Sequence, residues 1–153
     1  MQRYYDPKND VAFKKIFGCE EHKDFLIDFL DGALGHEGKT CIESVEFLNP
    51  IQVPWLEAGK TSVVDIVCKD QGGKRYVVEM QVSSEPGFKK RTQYYGANVY
   101  INQLKKGKDY RFLKPVTVLV IADHILFKDK PEYKSKHETL CKLQCNQTTI
   151  III

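Results

Sequence analysis

A chain of 153 residues fits one domain, since a single core of this length buries roughly two thirds of the surface its unfolded chain exposes. Hydrophobic residues at 42% and charged residues at 28% are ordinary for a folded globular protein and exclude a disordered one. The formal net charge of +3, from 23 basic and 20 acidic side chains, does not announce a nucleic-acid partner, so any such partner must rest on local clusters.

The opening segment, MQRYYDPKND, lacks the apolar run of a secretion signal, and no stretch approaches the roughly 18 to 20 apolar residues of a membrane span. A cytoplasmic location is the expectation, with no membrane partner. Cys19, Cys41, Cys68, Cys141 and Cys145 form no CxxC pair, and their odd number argues for free thiols. Cys141 and Cys145 could share a helix face, yet no His lies at a finger-like distance beyond them, which counts against structural zinc.

Along the chain, Asp10 is placed to cap a short helix through Phe17, ended by Gly18. Residues 22 to 34 set Phe25, Leu26, Phe29, Leu30, Ala33 and Leu34 at helical spacing, with Gly35 as C-cap. Residues 41 to 47 read as a first strand, stopped by Asn49-Pro50. Residues 62 to 69 and 74 to 82 are rich in β-branched side chains, and the Asp70-Gln71-Gly72-Gly73 sequence between them supplies a hairpin turn. After Pro86-Gly87, residues 88 to 104 read as a helix. Tyr94, Ala97, Ile101 and Leu104 form one face, read as the core face, and Arg91, Tyr95, Asn98 and Asn102 form another. Residues 115 to 121 are apolar on both faces, as in a central strand covered on both sides. Beyond a basic loop from Lys128 to Lys136, a strand is expected near residues 138 to 143, and Ile150 to Ile153 should pair as a strand unless the chain continues.

Chemistry concentrates in the hairpin. Side chains alternate along a strand, so Glu79 and Gln81 share one side while Tyr76, Val78 and Met80 share the other. Asp65 interrupts the neighbouring apolar run, where a carboxylate is costly to bury without a partner. Two carboxylates on adjacent strands offer the hard oxygen ligands that Mg²⁺ prefers, and a metal held there could acidify water and stabilise charge on a phosphoryl oxygen. The competing view is that a single Asp in an apolar strand hydrogen-bonds backbone and that Glu-x-Gln is a solvent-facing stripe.

Asp65, the glycine turn and Glu79-Met80-Gln81, set in the order αβββαβ, resemble the PD-(D/E)XK nuclease superfamily. More narrowly, the opening from Asp10 to Gly18, the segment 61 to 67, Glu79-Met80-Gln81, Tyr94-Tyr95 and Lys114-Pro115-Val116 resemble its recombination-promoting nuclease and transposase family. The resemblance implies an α/β restriction-endonuclease-like core with a mixed sheet flanked by helices. It implies a DNA endonuclease dependent on Mg²⁺ or Mn²⁺, with Asp65, Glu79 and the main chain of Gln81 as ligands. Homo-oligomerisation is left open.

Two positions depart from the superfamily pattern: Val64 stands at the proline, and Gln81 stands at the lysine of E-x-K. Gln hydrogen-bonds but carries no charge. The narrower family shares the Gln, and a positive charge can come from Lys89, Lys90 or Arg91 at the next helix start, where phosphate is also attracted by unpaired N–H groups. Arg91 is the favoured residue because it shares a face with Tyr95. Asp10, Lys14, Lys89, Lys90 and Tyr95 are auxiliary candidates. The basic clusters at Lys105-Lys106-Gly107-Lys108 and Lys128 to Lys136 read first as solvated loops. The alternative to an enzyme is an idle domain of the same fold that binds DNA or protein.

Overall fold

The computed structural model describes residues 6–52, 62–128, 132–138 and 148–152, and its centre is the hairpin set by the glycine turn. Its strands, β4 (Ile66–Asp70) and β5 (Arg75–Gln81), pair antiparallel from Ile66↔Val78 to Lys69↔Arg75. Asp70 closes the turn: its carboxylate accepts the N–H groups of Gly72 and Lys74 and the Tyr76 hydroxyl, while Gly73 takes φ 81, which disfavours any side chain.

Before the hairpin come α1 (Asp10–Phe17), α2 (Lys23–Leu34), β1 (Val45–Phe47), β2 (Ile51–Gln52) and β3 (Ser62–Val63). After it come α3 (Phe88–Ile101), β6 (Val116–Ala122), β7 (Ser135–Glu138) and β8 (Thr148–Ile152). Six strands form one mixed sheet in the order β1-β4-β5-β6-β8-β7, with β5, β6 and β8 parallel and the other pairs antiparallel. A parallel β5–β6 pair needs a crossover, and α3 supplies it.

Alternation along the strands makes two cores. Tyr76, Val78, Cys68, Ile66 and Leu119 meet Phe13 of α1 and Leu26 and Leu30 of α2 on one face. Val77, Val67, Val116, Val118 and Val120 meet Phe88, Tyr95 and Val99 of α3 on the other. β6 is buried on both faces, as its sequence demands. Burial holds the Cys68 thiol up at about 12, so this cysteine packs as an apolar side chain. No helix among the described residues is long and apolar enough to cross a membrane.

Several details differ from the sequence reading. Asn9, not Asp10, caps α1, its Oδ1 accepting the N–H of Val11 at 3.0 Å and of Ala12 at 3.3 Å. That shift of one residue frees the Asp10 carboxylate. Residues 41 to 44 are not strand: the N–H of Ile42 is taken by the Asp31 carboxylate and that of Glu43 by Gln71. On α3 the buried face carries Phe88, Thr92, Tyr95, Gly96, Asn98 and Val99, whereas Tyr94 is 39% and Ile101 52% exposed. The valine-rich faces of β5 and β6 supply the apolar surface there, so the helix can pack through small and polar residues, and Thr92 satisfies its hydroxyl on the Phe88 carbonyl. Helix α3 also stops at Ile101, where Gln103 is pinned by two hydrogen bonds to the Lys114 main chain. Ile150, Ile151 and Ile152 pair with β6 as expected, with Ile151 in the core, and Ile153 lies outside the described residues. A strand occupies Ser135–Glu138, and the rest of the strand expected near residues 138 to 143 falls outside the described residues. Residues 139 to 147, with Cys141 and Cys145, lie outside the described residues.

Candidate active site

The hairpin ladder ends one residue short of Asp65. β3 and β4 are separated by Val64 and Asp65, so beyond Val78 the strand β5 is paired only with β6. A ladder opened in mid-sheet leaves N–H and C=O groups that must find other partners. Here two acidic side chains provide them. The Asp65 N–H donates to Glu79 Oε1 at 3.1 Å, and the Met80 N–H donates to Asp65 Oδ2 at 2.9 Å. Each carboxylate thus reaches the other strand's backbone, which brings Asp65 and Glu79 together at the C-terminal end of the parallel strands β5 and β6. That end of an open α/β sheet is where ligands commonly bind.

The electrostatics are those of an acidic pair short of positive charge. Glu79 is only 7% exposed, and burial, reinforced by the Asp65 charge, pushes its carboxyl up to about 8. Lys14 answers part of the demand: its Nζ lies 3.0 Å from Asp65 Oδ1 and 2.9 Å from Asp10 Oδ1. Burial alone would lower the Lys14 pKa, but the hydrogen bonds and charges of Asp10 and Asp65 outweigh it and hold the ammonium ionised. Asp10 is lowered, chiefly by its hydrogen bond to Lys14. The i, i+4 spacing on α1 makes this bridge, and the Asn9 cap fixes where it falls.

Arg91 closes the opposite side. Its Nη2 donates to Gln81 Oε1 at 2.7 Å and its Nη1 to Glu85 Oε2 at 2.6 Å, while its Nε is buried with no partner among the described residues. The guanidinium lies 5.0 Å from the Phe88 ring centroid and 6.0 Å from that of Tyr95. Tyr95 is buried, and its hydroxyl is raised by that burial and by the Glu79 charge. Gln81 is fully occupied: Nε2 donates to the Ser83 carbonyl at 2.5 Å, and its own carbonyl accepts the Asp123 N–H at 3.0 Å. Lys89 and Lys90 are exposed, and the Lys89 ammonium sits 3.9 Å from the Phe127 ring centroid, beside a neighbouring cleft.

Asp65, Glu79, Gln81, Arg91, Lys14, Asp10 and Tyr95 are therefore brought into one connected cluster, and Lys89 and Lys90 stand apart from its hydrogen bonds. Sequence reasoning missed two groups. Glu85, which anchors Arg91, carries no pattern that marks it. The Met80 main chain could have been found from strand alternation, because a residue's N–H and C=O face the same neighbour. Met80 donates towards Asp65, so its carbonyl belongs to that open edge, whereas the Gln81 carbonyl belongs to the β6 side.

The Asp65 and Glu79 carboxylates are hard oxygen donors of the kind a divalent cation takes, and Asp65 already attracts the Lys14 ammonium. Among the described residues no group of three or more His, Cys, Asp or Glu side chains is arranged to hold a metal, so such an ion would rest on two carboxylates, main-chain oxygen and water.

A family model described as PD-(D/E)XK nuclease family transposase matches residues 7–150. No curated protein and no solved structure matches the chain.

Proposed function

Because the chain belongs to the PD-(D/E)XK nuclease family transposases, a nuclease family whose substrate is DNA, we propose that it is a metal-dependent DNA endonuclease of recombination or transposition type. It would act in the cytoplasm as one domain spanning 1–153, built on a restriction-endonuclease-like αβββαβ core. The observation that carries this reading is the pair of hydrogen bonds across the opened hairpin, from the Asp65 N–H to the Glu79 carboxylate and from the Met80 N–H to the Asp65 carboxylate.

Asp65 and Glu79 would hold Mg²⁺ or Mn²⁺, with the Met80 carbonyl a better placed third donor than Gln81. When bound, the metal supplies positive charge to the phosphoryl oxygens and acidifies water for attack. The chain's own residues do the rest. Arg91, pre-aimed by Gln81, neutralises the scissile phosphate in place of the lysine absent at position 81, and its planar fork suits two phosphate oxygens. Lys14 stands beside Asp65 as a proton source for the leaving oxygen or a second phosphate contact. Tyr95 and Phe88 pack beside the guanidinium and limit water around it.

The direct experiment is cleavage of supercoiled plasmid with Mg²⁺ or Mn²⁺ by the wild type and by Asp65→Ala and Glu79→Ala. Loss in both variants is expected, and equal cutting by all three would sink the mechanism. One observation favours a second reading, an idle domain that binds DNA or protein: the Lys14 ammonium already stands against Asp65, where a metal would have to compete with it. Calorimetry separates the two, since an idle domain shows no Mg²⁺ or Mn²⁺ binding that depends on Asp65.

A further inference from the structure

Next to the acidic cluster, a cleft of about 640 Å³ opens between the start of α3 and the segment following β6. Lys89, Lys90 and Lys128 line it together with Phe88, Ile125 and Phe127. We propose that this cleft receives a single-stranded segment of the nucleic-acid substrate, one or two nucleotides flanking the cleaved phosphate. The assignment rests on the nuclease reading above.

Three observations carry it. The first is charge: among the described lining residues three are lysines and one, Glu85, is an acid whose carboxylate is paired with Arg91, so the described lining carries an excess of positive charge. Second, the wall is preformed. Leu126 and Phe127 pack against the α3-side core, His137 stacks on Phe127 at 5.0 Å, and Lys89 is held over the same ring, which fixes where its charge lies. Ile125, 77% exposed, stands free at the rim as an apolar surface for a base. Third, the cleft is continuous with the cluster: Glu85 and Phe88 line it, and both touch Arg91. A strand whose scissile phosphate meets Arg91 would therefore lay its next phosphates along Lys90 and Lys128.

Size selects a single strand over a duplex. At about 640 Å³ the cleft lies in the range of roughly 300–1,000 Å³ that takes small ligands, which is room for one or two nucleotides and not for a double helix. Lysine contacts with a flexible backbone and one apolar platform are the elements of single-strand binding without sequence preference.

The test is fluorescence anisotropy in chelator, where no cleavage occurs, with a labelled single strand, a blunt duplex and a duplex bearing a single-stranded tail. Lys90→Ala/Lys128→Ala alters two exposed side chains. It should weaken binding of the single strand and the tailed duplex about tenfold, and lower the salt slope by about 1.4 for two lost phosphate contacts. Blunt-duplex binding should change less than about twofold, and a Lys105→Ala/Lys106→Ala control should bind the single strand like the wild type. Unchanged single-strand affinity, or equal loss for all three ligands, would overturn the assignment. So would a dimer lost in the variant at unchanged DNA affinity, which would give the cleft to a second copy of the chain. The nuclease reading fails separately: a wild type that binds as expected but never cuts plasmid refutes that reading and leaves the cleft standing.

Discussion

Replacing Glu79 by glutamine should abolish cleavage and yet stabilise the metal-free protein at alkaline pH. Burial and the neighbouring Asp65 raise the Glu79 carboxyl from the ordinary 4.5 to about 8. Between those values the folded state keeps a proton that the unfolded chain has released, so metal-free stability falls as pH rises through this window and levels off above it. From pH 6 to pH 9 the loss spans about two pKa units, or ~3 kcal/mol, which for a chain of this size is about 6 to 12 °C in Tm. The side-chain amide of the Glu79→Gln variant keeps an oxygen to accept the Asp65 N–H but has nothing to ionise, so this contribution vanishes. The assay is differential scanning calorimetry in EDTA at pH 6, 7, 8 and 9, with the difference between wild type and Glu79→Gln isolating this group from the histidines. Saturating Mg²⁺ should recover the wild-type loss and leave the variant unmoved. A difference that stays flat from pH 6 to pH 9, or a variant less stable than wild type at pH 9, would refute the argument that Glu79 lacks a cation.

Arg91→Ala should reduce plasmid nicking by about 10²–10³-fold, and Arg91→Lys should recover little, because one ammonium cannot span Gln81 and Glu85 as the guanidinium does; single-turnover rates check this. Glu85→Gln should tighten DNA binding about two- to fivefold by removing an exposed counter-charge from Arg91, read as a lower Kd in chelator. Asn9→Ala should cost about 1 kcal/mol of stability through loss of the α1 cap, measured by urea denaturation, and should also slow nicking by loosening the Asp10–Lys14–Asp65 bridge.

What the sequence made legible was whatever local chemistry determines. The glycine turn, the two-sided apolar strand and the Gly35 stop at φ 70 each leave one arrangement of low energy. The Asp65 and Glu79 pair stood out because carboxylates interrupt apolar strands. Features set by tertiary contact were not legible. The apolar run continues through Val63 and Val64, so nothing local shows the ladder stopping at Asp65. The buried face of α3 is defined by the valines beneath it rather than by its own periodicity, which is why Tyr94 pointed the wrong way. Asn9 and Asp10 are both good caps by type, and only the register of the whole helix decides between them.

The glutamine at position 81 has a structural logic that reaches beyond one missing charge. A lysine there would bring its own ammonium to the site on a flexible four-carbon stem. Glutamine instead makes the charge conditional on a helix: Gln81 Oε1 holds Arg91, Gln81 Nε2 is spent on Ser83, and Glu85 balances the guanidinium from the far side. In the resting cluster Arg91 is balanced by Glu85, whereas the one Lys14 ammonium is shared between Asp65 and Asp10 and leaves that flank acidic. Glu79, buried beside that uncompensated charge, responds by retaining its proton. A cation bound between Asp65 and Glu79 would displace that proton and compete with Lys14, and a phosphate would compete with Glu85 for Arg91. Metal and substrate therefore break different ion pairs, so loading of each should carry its own pH and salt dependence rather than a shared one.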